Sequence, residues 1–156
     1  MRLVRFTGKD GDRYGILRGE SIRPIPAETL EDALQTTGSE APAIALANVD
    51  LLAPVERPRK ILGIGVNYAA HAAESVSFVD TKAPQVQKWF NKQATSANAP
   101  FGKVHLPKVS AQLDYEVELV VVIGKHGRHV PRERAMEIVG GFCVGCDYSV
   151  RDWQKA

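Results

Sequence analysis

Glu116 and Glu118 are the residues of this chain whose type and spacing most directly offer chemistry. They lie in the run Leu113-Asp114-Tyr115-Glu116-Val117-Glu118-Leu119-Val120-Val121-Val122-Ile123-Gly124, which alternates. Leu113, Tyr115, Val117, Leu119, Val121 and Ile123 fall on one side, and Asp114, Glu116, Glu118, Val120 and Val122 on the other. Period two with a β-branched run predicts a strand. Residues i and i+2 of a strand stand about 6.6–7 Å apart on one face, so the two carboxylates project side by side. Such a pair can grip one hard cation, which takes oxygen ligands. The plainer alternative is a half-exposed strand with its acids in water. Val120 and Val122 continue the acidic face as an apolar one, which predicts burial on both faces at that end. The acids then sit at the mouth of a core and need partners, of which a metal is one.

Three other groupings invite a chemical reading. His71 and Glu74 are three apart in a stretch rich in small residues, Ala69, Ala70, Ala72 and Ala73. A helix there puts both on one face, either as a surface pair or as a carboxylate orienting an imidazole general base. Cys143-x-x-Cys146 has the spacing of a redox dithiol or half a zinc site. No second pair accompanies it and the segment has strand character, so two small buried thiols are the expectation. Gly63-x-Gly65 imitates a dinucleotide fingerprint, but Tyr68 stands at the third glycine position and the βαβ frame is missing.

The elements that must position these groups follow from the rest of the chain. Residues 3–7, 14–18 and 21–25 have the pattern of short strands separated by turns. A helix follows, with Thr29 as N-cap, Asp32 three residues on, and Gly38 to close it. Residues 49–52 add a strand. The proline-bracketed stretch 53–60 is a linker, which divides the chain into a small domain (1–52), a linker (53–59) and the start of a second domain (60–156). In the second domain, 60–66 and 86–91 are expected strands, the latter bringing Lys92 to its end. Residues 131–139 form an expected helix with proline in its first turn and Gly140-Gly141 at its end. Residues 142–148 are an expected strand carrying Asp147, and Ser149 is an expected cap for a final helix. His126 and His129 fall in a solvated turn.

Composition sets outer bounds. The chain has 156 residues, 44% hydrophobic and 24% charged, which is ordinary for a globular protein. A net charge of +2 without a basic, aromatic-interleaved stripe gives no signature of nucleic-acid binding. The amino terminus lacks the apolar core of a signal peptide and no run reaches membrane-spanning length, so the expectation is a cytoplasmic protein without a membrane partner.

Four motifs in register resemble one family. They are Gly65-x-Asn67-Tyr68-x-x-His71-x-x-Glu74, then Leu113-Asp114-Tyr115-Glu116-x-Glu118-Leu119 running into Val121-Val122-Ile123-Gly124-Lys125, then Gly140-Gly141-Phe142, and Asp147-x-Ser149-x-Arg151-Asp152-x-x-Gln154. Their order and spacing resemble the fumarylacetoacetate hydrolase family. The resemblance implies an α+β, mostly β, fold: a small amino-terminal β-rich domain followed by the beginning of the family's mixed β-roll catalytic domain. It implies Mg²⁺ or Mn²⁺ held by Glu116, Glu118 and Asp147, with His71 and Glu74 activating water and Arg151, Gln154 and Lys92 facing substrate. The implied substrates are 2-oxo or 2,4-dioxo carboxylic acids, which chelate the ion through the acid and keto oxygens. The implied reaction is metal-dependent cleavage of a carbon–carbon bond in an acylpyruvate-type acid, as in aromatic or amino-acid catabolism, by an enzyme that is a homodimer when full length. A decarboxylase, isomerase or lyase acting on oxaloacetate or a 2-hydroxy-diene-dioate is the close variant. Family members continue past the Arg-Asp-x-x-Gln motif, so the resemblance also implies the amino-terminal part of a longer enzyme, and a catalytically incomplete fragment is the competing reading.

Overall fold

The computed structural model of the chain describes residues 1–70 and 86–154. Short turns fold the first segments back on themselves: β1 (Leu3–Gly8), β2 (Gly11–Arg18) and β3 (Ser21–Pro24) pair antiparallel in sequence order. β4 (Ile44–Ala45) joins the outer edge of β3, and β5 (Asp50–Leu52) joins the free edge of β1. The result is a five-stranded sheet in the order β4-β3-β2-β1-β5. Its core is Tyr14, Ile16, Ile25 and Ala33, with Leu3, Ala27 and Leu30 packed against them.

Ala33 belongs to α1 (Leu30–Gln35), which the sequence starts and stops locally. Thr29 Oγ1 accepts from the Asp32 N–H at 3.1 Å and donates to Asp32 Oδ2 at 2.6 Å, satisfying one of the orphan donors of the first turn. The helix does not run to Gly38. Thr36 turns extended, and its N–H bonds back to Asp32 and Ala33 carbonyls, so the chain closes the helix without a left-handed glycine.

β6 (Ile61–Gly65) and β7 (Lys88–Lys92) form a separate antiparallel pair in which Gly63 faces Phe90. A Cβ on Gly63 would fall 2.1 Å from the Phe90 ring, so this glycine lets an aromatic side chain lie on the opposing backbone. Lys92 is at the end of β7, as the sequence predicts. Val66 follows β6 with φ 55°, a left-handed conformation that is costly for a β-branched residue.

β8 (Leu113–Ile123) and β9 (Val139–Val150) form a long antiparallel ribbon. β9 begins earlier than the sequence predicts, because Gly140 and Gly141 do not end a helix. Val122 pairs with Gly141 and Ile123 with Val139, so Gly140 is the extra residue of a bulge. A Cβ on Gly140 would lie 2.7 Å from Leu34 Cδ1 and 3.0 Å from Gly124 Cα, so close approach is what demands glycine. Residues Arg132–Ile138 wind as a 3₁₀ helix that opens after Pro131 rather than as the expected α-helix. The short α2 (Arg151–Gln154) closes the described chain.

The architecture is α+β and mostly β. Contacts divide it into two compact units, one of Met1–Pro54 with Ala99–Ala156 and one of Val55–Asn98. Within the first, the ribbon's two faces differ. The face of Glu116, Glu118, Val122, Cys143 and Asp147 is half-buried, whereas Tyr115, Val117, Leu119, Val121, Phe142 and Val144 on the other face are exposed. The expected burial of both faces at the apolar end is therefore not what the structure has. Val120 and Ile123 are exposed too, because a two-stranded ribbon covers neither of its own faces. Among the described residues no helix is long and apolar enough to cross a membrane.

Candidate metal centre

The register of β8 against β9 sets where the candidate ligands stand. Glu116 stands directly opposite Asp147, and Glu118 opposite Gly145. Directly opposed Cβ atoms in an antiparallel pair are about 4.5–5.5 Å apart and diagonal neighbours about 7–8 Å. Asp147 is opposed to Glu116 and diagonal to Glu118, so three carboxylate stems issue from one patch of one face. All three residues are half-buried, and Asp147 Oδ1 is shut off from solvent. Carboxylate oxygens are the donors that Mg²⁺ and Mn²⁺ take. The donor set and the register therefore fit a hard divalent ion.

Glu116 is otherwise engaged in this structure. Among the described residues no three acidic, His or Cys side chains converge on a common point. Glu116 Oε1 instead receives Arg151 Nη2 at 2.9 Å and the Ser149 hydroxyl at 3.0 Å. Arg151 Nε donates to Asp114 Oδ2 at 2.9 Å, and its Nη1 donates to Gln154 Oε1 at 2.9 Å. The guanidinium thus bridges two acids of one strand face and an amide one helical turn on. Arg151 holds the Asp114 carboxyl below the usual aspartate range, helped by the Tyr115 N–H. Burial draws the Arg151 pKa down, but the bonds to Asp114 and Glu116 outweigh it and the net shift is upward. The open end of the ribbon anchors α2: Arg151 N–H donates to the Gln112 carbonyl, and Ser110 Oγ donates to Asp152 Oδ1 at 2.8 Å.

The structure thus brings together Glu116, Glu118, Asp147, Arg151 and Gln154. Lys92 lies in the other compact unit, and His71 and Glu74 lie outside the described residues. Two participants escape the sequence reading. Asp114 is on the acidic face by the same period-two rule, but its partner comes from the far end of the return strand. Ser149 is an expected helix cap, whereas its hydroxyl is spent on Glu116.

Cys143 pairs with Val120 on the acidic face and Cys146 with Val117 on the outer face. A spacing of three in a strand puts two residues on opposite faces, so these free thiols share neither a disulfide nor an ion. Cys143 is half-buried, but Cys146 is exposed, contrary to the expectation of two buried thiols. A shallow depression lined by Thr7–Lys9 and Ala47–Asp50 contains none of the carboxylates.

Comparison with known proteins places the chain. A family model described as "Fumarylacetoacetate (FAA) hydrolase C-terminal" matches residues 60–156, and one described as "Rv2993c-like, N-terminal" matches residues 1–54. A mitochondrial oxaloacetate tautomerase of Homo sapiens is 40% identical over 126 residues, covering 81% of this chain and 39% of that one. The crystal structure of a 2-hydroxyhepta-2,4-diene-1,7-dioate isomerase from Mycobacterium marinum has a TM-score of 0.81 at 28% identity, covering 99% of this chain and 57% of that one. That of a maleylpyruvate hydrolase from Sphingobium sp. SYK-6, in complex with manganese(II) ion and pyruvate, has a TM-score of 0.73 at 32% identity, covering 97% and 60%. The chain spans about two fifths of the human relative and three fifths of these two solved chains. With the hydrolase model matching well over half of its residues, the protein belongs to the fumarylacetoacetate hydrolase family.

Proposed function

We propose that the protein is a divalent-metal-dependent enzyme acting on 2-oxo or 2,4-dioxo carboxylic acids, with Mg²⁺ or Mn²⁺ held by Glu116, Glu118 and Asp147. The observation that carries this reading is the direct opposition of Glu116 and Asp147, with Glu118 on the same half-buried face. The manganese and pyruvate in the complex of the Sphingobium hydrolase support it. An ion held there would act as a Lewis acid toward the adjacent carboxyl and keto oxygens, easing the build-up of charge on the keto oxygen. Arg151 and Gln154 orient the acid, the guanidinium as a planar donor to a carboxylate. For Lys92 the family resemblance implies a further substrate contact, and for His71 and Glu74 a general base and the carboxylate that orients it. The layout that goes with this reading is a small domain over 1–52, a linker over 53–59 and a catalytic part over 60–156, with a homodimer as the assembly of the full-length protein.

Two reactions fit this chemistry. Carbon–carbon hydrolysis of an acylpyruvate is one, supported by the maleylpyruvate hydrolase. Keto–enol tautomerisation is the other, supported by the oxaloacetate tautomerase at 40% identity. Both need charge accepted at the keto oxygen; in hydrolysis it comes from the carbon–carbon bond that breaks after water adds to the acyl carbonyl, and in tautomerisation from moving a proton between carbon and oxygen. The test is to follow oxaloacetate enol–keto conversion and acylpyruvate cleavage by ultraviolet absorbance, with Mn²⁺, for wild type, Glu118→Gln and His71→Ala. For the full-length protein the reading predicts metal-dependent turnover of at least one substrate. It also predicts loss of that turnover in Glu118→Gln and a fall of about 10²–10⁴-fold in His71→Ala with metal binding kept. Turnover that needs no metal, or that survives Glu118→Gln unchanged, contradicts it.

A further inference from the structure

We propose that Arg151 is the internal competitor of the metal at this site: its guanidinium and a divalent ion exclude each other from the Glu116 carboxylate, and Asp114 keeps the displaced guanidinium at the rim. This rests on the metal reading given above, and adds to it what Arg151 and Asp114 do in the absence of metal.

Three observations carry it. Register and burial gather Glu116, Glu118 and Asp147 on one patch, yet among the described residues the acids do not close around a point. Of the three, Glu116 is the acid whose Oε1 is taken by Arg151 Nη2 and Ser149 Oγ. Arg151 is held independently at its other two nitrogens, Nε by Asp114 and Nη1 by Gln154. Losing the Nη2 contact therefore leaves the guanidinium tethered, not adrift.

Electrostatics favour one cation at a time on the Glu116 carboxylate. A divalent ion and a guanidinium on one carboxylate repel each other, and on a half-buried face that repulsion is screened far less than in bulk water. A guanidinium donor also withdraws charge from the oxygen that a cation needs. In this structure Arg151 offsets the charge of Glu116 and Asp114, a role that an ion on Glu116 would take over. Metal binding then turns Arg151 Nη2 from an internal contact into an unoccupied donor at the rim, beside the site and fixed in orientation by Asp114. Asp114 is a positioning residue in this account, since it acts through Arg151.

The experiment uses the chain as it stands, with Mn²⁺ affinity measured by calorimetry and Arg151 observed directly. Mn²⁺ is titrated into wild type, Arg151→Gln and Glu116→Gln. In parallel, nitrogen-15 NMR of the arginine side chains follows Arg151 Nε and Nη hydrogens as Mg²⁺ is added to wild type. The expected result is that Arg151→Gln binds Mn²⁺ about fivefold more tightly, the scale of one partly exposed ion pair. Mg²⁺ should also release the protection of the Nη2 hydrogens while the Nε hydrogen, on Asp114, keeps its own. Nη2 protection that persists at saturating Mg²⁺ means that the ion takes the other oxygen with Arg151 in place, and overturns the inference. Equal Mn²⁺ affinity in wild type and Arg151→Gln, with Glu116→Gln weakened, overturns it while leaving the metal site standing. Absence of Mn²⁺ binding in all three proteins removes the metal reading and this inference together.

Discussion

Cys143 and Cys146 give the face assignment of the ribbon a test at single-residue resolution. Burial pushes the Cys143 thiol above its ordinary range, so less thiolate is available on the acidic face. Cys146 is exposed on the outer face. Iodoacetamide near neutral pH should therefore alkylate Cys146 several-fold faster than Cys143, as read by peptide mass spectrometry. Equal or reversed rates contradict the assignment of faces. The same alternation made Glu116 and Glu118 legible in the sequence, because period two is a local property of the chain. Asp147 was legible only through its motif, since nothing local says which residue of β9 faces Glu116. The Arg151 bridge to Asp114 and Glu116 was not legible at all. It depends on the register of a return strand that begins fifteen residues after Gly124.

At the scale of elements, strong local signals survived and weak ones did not. Turn residues and β-branched runs fixed β1 to β3 and β8 to within a few residues. β4 has two residues, too few to carry a period. The 3₁₀ winding of Arg132–Ile138 and the early start of β9 were hidden because Gly140-Gly141 has the composition of a helix end. Packing against Leu34 and Gly124 explains why glycine is needed there. Thr29 is the clearest local device, capping a helix of only six residues. Thr29→Ala should cost about 1 kcal/mol in urea unfolding, and Thr29→Ser should restore most of it. A Thr29→Ala chain as stable as wild type shows that tertiary contacts, and not the cap, hold α1.

At the scale of the whole molecule, the outer face of the ribbon gathers a run of exposed apolar side chains among the described residues. Leu119 is 62% and Val144 79% exposed, and they are direct cross-strand partners amid other uncovered apolar side chains. Apolar surface left in water costs about 25 cal/mol per Å², so apolar cover on this face is favourable, and a second copy is one source of it. Sedimentation at rising concentration should give species heavier than the 17.1 kDa chain. The paired substitution Leu119→Lys with Val144→Glu should suppress them while leaving the opposite face intact. A wild-type chain that stays monomeric contradicts that account of the outer face. The acidic face carries the central claim, and it is tested most directly by titrating Mg²⁺ into the wild-type chain and into Glu118→Gln by calorimetry. Glu118 makes this the cleanest variant, because no bond of Arg151 or Ser149 to it complicates the result. One ion per wild-type chain, with affinity falling sharply in Glu118→Gln, is the predicted result; Mg²⁺ binding of unchanged strength in Glu118→Gln would contradict it.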